Sequence, residues 1–141
     1  MRLFFLAAAT SLAVSTAALA ATPSGVWLSA DGRVKVRVSD CNGALCGRVV
    51  WLKEPTDPHT GAPRTDKLNP DAGKRDRKMI GLQVVQGLKP QGENKWTGPI
   101  YNADEGKSYH VNATLVGSNK IALQGCVLGV FCKTQTWTRV D

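Results

Sequence analysis

The sequence is poor in the residues that most enzyme chemistry needs. It has two histidines, His59 and His110, and four cysteines among 141 residues. Gly-x-Ser-x-Gly is missing, so neither histidine has a nucleophile elbow to serve. His-Glu-x-x-His, Gly-x-Gly-x-x-Gly and the P-loop pattern are missing too, which removes the zincin, dinucleotide and nucleoside-triphosphate chemistries they carry. Asn69, Asp71 and Gly73 stand at calcium-loop spacing, but Ile80 occupies the place of the closing glutamate. The acids sit in turns beside Lys and Arg, where ion pairing is expected, rather than as the placed pair a glycosidase uses. No catalytic residue, metal site or cofactor is therefore assigned, and the expectation is a protein that is not an enzyme. The length allows one domain and excludes a dinucleotide domain paired with a substrate domain.

Long apolar runs are equally scarce. The one present, Leu3 to Leu19, follows Arg2 and ends in Ala18-Leu19-Ala20. A short positive region, an uncharged apolar stretch and an A-x-A site form a secretory signal peptide, expected over residues 1–20 with cleavage after Ala20. A basic stop-transfer flank is lacking, and no later stretch is long enough to span a bilayer. The processed chain, 21–141, is expected in the periplasm or secreted, with no transmembrane segment.

The four cysteines fall in two close pairs. Cys41 and Cys46 enclose Asn-Gly-Ala-Leu, and Cys126 and Cys132 enclose Val-Leu-Gly-Val-Phe. Four cysteines allow three connectivities. The local one is favoured, because each pair brackets a Gly-containing turn between strand-like runs. The alternative, a zinc site of four thiolates, fits these spacings poorly and an exported protein less.

What the chain does have is alternation. Arg33-Val34-Lys35-Val36-Arg37-Val38 switches between charged and apolar without a break, which predicts one buried and one wet face. Further strand candidates are Gly25 to Ser29, Leu45 to Leu52, Leu82 to Leu88, Lys95 to Tyr101, Ser108 to Val116, Lys120 to Cys126 and Lys133 to Val140. Short polar turns join most of them. Eight strands at this spacing predict an antiparallel sandwich or barrel. Glu54 to Met79 breaks the rhythm: it is long, polar and rich in turn formers, as functional or mobile loops are. Its Arg64 to Lys78 portion holds Arg64, Lys67, Lys74, Arg75, Arg77 and Lys78 against Asp66, Asp71 and Asp76.

Two resemblances rest on these residues. Gly25-Val26-Trp27 on the first strand with Trp137-Thr138-Arg139 on the last resembles the lipocalin arrangement. That resemblance implies Arg139 over the face of Trp27 at the closed base of a barrel, a cation–π contact of about 0.5–2 kcal/mol. Nearly the whole processed chain is also similar to the bacterial family known as domain of unknown function 2147. The features that carry this are Gly25-Val26-Trp27, Cys41-Asn42-Gly43-Ala44-Leu45-Cys46-Gly47, Thr60-Gly61-Ala62-Pro63, Asp66, Asn69-Pro70-Asp71, Arg75, Arg77 and Gly81. Trp96-Thr97-Gly98, Ile100-Tyr101-Asn102 and Gly106-Lys107-Ser108-Tyr109 complete them. The resemblance implies one antiparallel up-and-down eight-stranded lipocalin-like β-barrel over 21–141, and it carries no catalytic residues.

Two groups then stand out as candidate sites. The cluster Asp66, Asn69, Asp71, Arg75 and Arg77 is read first as a clasp that holds the long loop, and second as a rim receiving an anionic head group. Trp51, Trp96, Tyr101 and Tyr109 are candidates to line a pocket, or to fill the barrel. The net charge of +7 attracts phosphates, but export argues against nucleic acid. Envelope lipid phosphates or wall polymers are the anions such a protein meets, while the outward Arg33, Lys35 and Arg37 read as a solvated strand face. The expected function is non-catalytic binding of a small apolar or anionic amphiphilic ligand inside the barrel. The alternatives are an envelope interaction or structural module with a filled barrel, and an enzyme of unrecognised type using the loop carboxylates. A cavity of about 300–1,000 Å³ separates the first from the second.

Overall fold

The computed structural model describes residues 10–15, 22–127 and 130–141. The signal peptide and its cleavage after Ala20 lie largely outside the described residues. Among the described residues, no helix is long and apolar enough to cross a membrane.

Eight strands close into one antiparallel barrel in simple chain order. They are β1 Gly25–Leu28, β2 Val34–Cys41, β3 Ala44–Leu52, β4 Gln83–Pro90, β5 Lys95–Asn102, β6 Lys107–Val116, β7 Lys120–Val127 and β8 Phe131–Arg139. Every strand pairs with its sequence neighbour, and β8 returns to β1. Alternation explains the core. Val36 and Val38 of β2, Leu45 and Val49 of β3, Val111, Ala113 and Leu115 of β6, and Ile121 and Leu123 of β7 are buried, and in β2 and β6 the residues between them, Arg37, Asn112 and Thr114, are polar.

Register shifts disturb that alternation in the β2–β3, β3–β4 and β4–β5 pairs, and two of them change which residues face inward. Lys35 pairs with Trp51 and Val36 with Val49, so Val50 is an extra residue on β3. Likewise Gly47 pairs with Val85 and Arg48 with Gln83, which leaves Val84 as the extra residue of β4. As a result Val84 and Val85, although adjacent, are both buried.

The two ends of the barrel differ. One end holds the N-terminal segment, the β2–β3, β4–β5 and β6–β7 turns and the end of β8. There Trp27 is fully buried, and the Arg139 guanidinium lies 4.5 Å from its ring centroid. Arg139 Nη1 donates to the Ser24 carbonyl at 2.7 Å and Nε to the Ser118 carbonyl at 2.8 Å, while Nη2 donates to the Thr22 carbonyl. Gly25 permits this approach: its φ is +145°, and a Cβ there would strike Nη1 of Arg139. One planar fork of donors on β8 thus ties the N-terminal segment and the β6–β7 turn together at the base.

The other end carries the β1–β2, β5–β6 and β7–β8 turns and the long β3–β4 connection. That connection is ordered by its own bonds and is not the structureless loop its composition suggests. Isolated bridges join Thr56 to Pro63 and Thr65 to Lys78. A single 3₁₀ turn, Ala72–Lys74, is capped by Asp71, whose side chain accepts from the Gly73 N–H. The connection leans on the β5–β6 turn at Gly106, where φ is +65° and any Cβ would overlap the Leu68 carbonyl. Disulfides Cys41–Cys46 and Cys126–Cys132 staple one hairpin at each end of the barrel.

Candidate functional site

Inside the barrel is a cavity of about 610 Å³. It runs from Trp137, near the base, to the end that carries the long connection. Val34, Val36, Val49, Val84, Met79 and Ile100 make its apolar wall. Its rim is polar: Ser29 and Asp31 from the β1–β2 turn, Asn102 and Asp104 from the β5–β6 turn, and Lys133 and Gln135 from β8. The Ser29 hydroxyl donates to Asp31 at 2.6 Å, which holds the Asp31 carboxyl below its ordinary range and keeps it ionised. The Trp137 indole N–H is buried with no acceptor among the described residues.

The wall has a slot. β1 has four residues and pairs with β8 only at Trp27↔Arg139 and Leu28↔Thr138. Among the described residues, β8 has no ladder partner on that side from Phe131 to Trp137. Four consecutive residues, Lys133 to Thr136, line the cavity and are exposed, whereas a strand inside a continuous wall offers only every second side chain. The cavity therefore opens sideways, between β8 and the β1–β2 turn, as well as at its end.

The polar cluster of the long connection lies beside this cavity rather than in it. Asp66 is fully buried. Its Oδ1 accepts from the Tyr101 hydroxyl at 2.6 Å, and its Oδ2 accepts from Asn69 Nδ2 at 2.8 Å and Arg77 Nη2 at 3.0 Å. Asn69 Oδ1 accepts from the Asp71 N–H, and Arg75 Nε donates to the Asn69 carbonyl at 2.7 Å. All five residues of the cluster are brought together, and Tyr101 joins them from β5. Neither Arg75 nor Arg77 lines the cavity.

The four aromatic candidates are separated. Trp96 and Tyr109 stand on the inner face, opposite Ala113 and Ile100 respectively, and pack against the core. Tyr101 borders the cavity, but its hydroxyl is committed to Asp66; burial first, and that carboxylate second, push its pKa up to about 12. Trp51 does not line the barrel. The bulge at Val50 reverses the alternation that begins at buried Val49, so Leu52 turns inward and Trp51 outward, 38% exposed beneath the Lys35 ammonium. Trp137 and Ile100, which the sequence marks only through the family resemblances, line the cavity together with Val34. What would mark them as lining residues is alternate spacing along strands, which every core residue shares.

The geometry agrees with known proteins. A family described as "Uncharacterized protein conserved in bacteria (DUF2147)" matches residues 25–139. The chain belongs to this family. That match spans all eight strands of the barrel. A solved structure of protein HP1028 from the human pathogen Helicobacter pylori, described as belonging to the lipocalin family, superposes with a TM-score of 0.74. It shares 21% identity, and the match covers 86% of this chain and 85% of that one. The DUF2147 barrel is thus lipocalin-like in fold. No match was found among curated proteins. Two disulfides in a member of a bacterial family point to a place outside the reducing cytoplasm.

Proposed function

We propose that this DUF2147 protein binds a small amphipathic ligand in the barrel, without catalysis, outside the cytoplasm. The observation that carries this is the cavity. About 610 Å³ of space with an apolar wall and a polar rim is the size and character of a small-molecule site, and a purely structural barrel fills its interior with side chains. An apolar chain would lie against Val34, Val36, Val49 and Ile100, and reach them through the slot beside β8. The rim sets the head group. Asp31 and Asp104 outnumber Lys133 there, and the loop arginines stand elsewhere, so a neutral or zwitterionic head fits better than an anionic one.

The test is displacement of the neutral fluorophore N-phenyl-1-naphthylamine by a long-chain alcohol and by the fatty acid of equal length. The alcohol should displace the dye with the lower half-maximal concentration. Ile100→Trp, which fills the cavity from the inner face of β5, should abolish dye binding while the far-ultraviolet spectrum stays that of the wild type. Undiminished binding in folded Ile100→Trp protein overturns the proposal.

A further inference from the structure

The outer face of β2 and β3 carries a second feature, independent of the cavity. Register places Arg37 directly opposite Arg48. Like charges across an antiparallel pair repel, and neither arginine forms an ion pair with a carboxylate among the described residues. Lys35 stands two residues from Arg37 on the same face of β2, with its ammonium 4.7 Å from the ring centroid of Trp51. Arg48 Nη1 donates to the Gly81 carbonyl at 3.0 Å, which brings the guanidinium to the chain next to Ile80. The acid just past β3, Glu54, is already shared by Arg33 and Arg64. The neighbouring β4 adds Gln83 and Gln86 and no acid.

Apolar groups are set among these cations. Trp51 and Val50 are each 38% exposed and Ile80 is 48% exposed. The β-bulge at Val50 is what turns Trp51 out of the barrel. A bulge that turns a tryptophan out of the core gives up part of its burial, so its presence beside three cations that have no carboxylate partner among the described residues calls for a partner.

We propose that this face docks on an anionic phospholipid membrane. Arg37, Arg48 and Lys35 meet lipid phosphates, which relieves the Arg37–Arg48 repulsion. Trp51 inserts at headgroup level, where an indole finds both apolar and hydrogen-bonding surroundings. A soluble polyanion would satisfy the cations but leaves Trp51, Val50 and Ile80 in water. A membrane accounts for both sets of residues.

Co-sedimentation with vesicles of phosphatidylglycerol and phosphatidylcholine tests this with the processed full chain. Binding should appear with the mixed vesicles, be lost with phosphatidylcholine alone, and weaken as salt rises. Each cation near an anionic bilayer is worth about a fivefold change in affinity, so R37Q/R48Q should bind roughly thirty-fold more weakly. K89Q/K95Q, which removes two exposed charges elsewhere, should bind as the wild type does. Brominated lipid should quench wild-type fluorescence and fail to quench W51F, a readout that a merely structural role of the face would not move. Equal binding to both vesicle types overturns the proposal. So does retention on heparin without vesicle binding, and so does quenching that W51F leaves intact. Thermal melts of each variant show that it is folded, and the salt series on unmodified protein stands even if one is not.

Discussion

Tyr101 donates its hydroxyl hydrogen to Oδ1 of the buried Asp66 at 2.6 Å, joining β5 to the long β3–β4 connection. The Asp66 side chain has no contact with solvent, and its oxygens are satisfied only by the donors around it: Tyr101, Asn69 and Arg77. A carboxylate in that position makes a good clasp because it tolerates no vacancy. The connection it holds forms part of the mouth of the cavity through Met79.

The clasp sets the first expectation. Tyr101→Phe removes one donor from a buried carboxylate and should cost about 1–3 kcal/mol in denaturant unfolding. Arg77→Gln, at a residue that does not line the cavity, should also lower the melting temperature and leave dye binding unchanged. The same bond predicts a pH dependence. The Tyr101 pKa is raised to about 12 in the folded chain, so the folded state keeps a proton that the unfolded state releases from about pH 10. Its contribution is complete below pH 10 and is lost as pH rises toward 12. Tyr101→Phe should flatten that part of a stability–pH curve; an unchanged slope refutes the assignment.

At the base of the barrel, Arg139→Ala should cost on the order of 1–3 kcal/mol, because it removes a stacked guanidinium together with donors to Thr22, Ser24 and Ser118. Arg139→Lys should recover little of this, since an ammonium cannot present the planar fork. Chemical unfolding of the two variants checks the difference. A lysine variant as stable as the wild type would show that only the charge matters.

The disulfides carry a third expectation. The oxidised protein should be lighter than the reduced one by about four hydrogens, two for each bridge. A non-reducing digest should link Cys41 to Cys46 and Cys126 to Cys132. Loops this short constrain the unfolded chain little, so removing either bridge should cost about 2 kcal/mol, at the low end of the usual range. Cys126 and Cys132 face each other at the start of the β8 edge, so their removal should raise hydrogen exchange in β8 more than in β3. Equal protection of the two strands would refute that difference.

Much of this molecule is local, and the sequence determined it. Strand positions follow from alternation between neighbours, and chain order follows from short turns that leave each strand only its neighbour to pair with. The disulfides follow for the same reason, since a hairpin brings its own two ends together. What only the tertiary structure decided depends on register and on distant partners. One extra residue at Val50 reverses the facing of every residue after it, so Trp51 leaves the core with no change in composition to announce it. Arg48 stands opposite Arg37 because of how two strands slide, not because of what either contains. Asp66 reads in the sequence as one member of a loop clasp, but that Tyr101, 35 residues away, closes over it is visible only in the fold. The cavity is a property of eight strands at once: a strand's pattern says which side chains turn inward, and only the closed barrel says whether they meet.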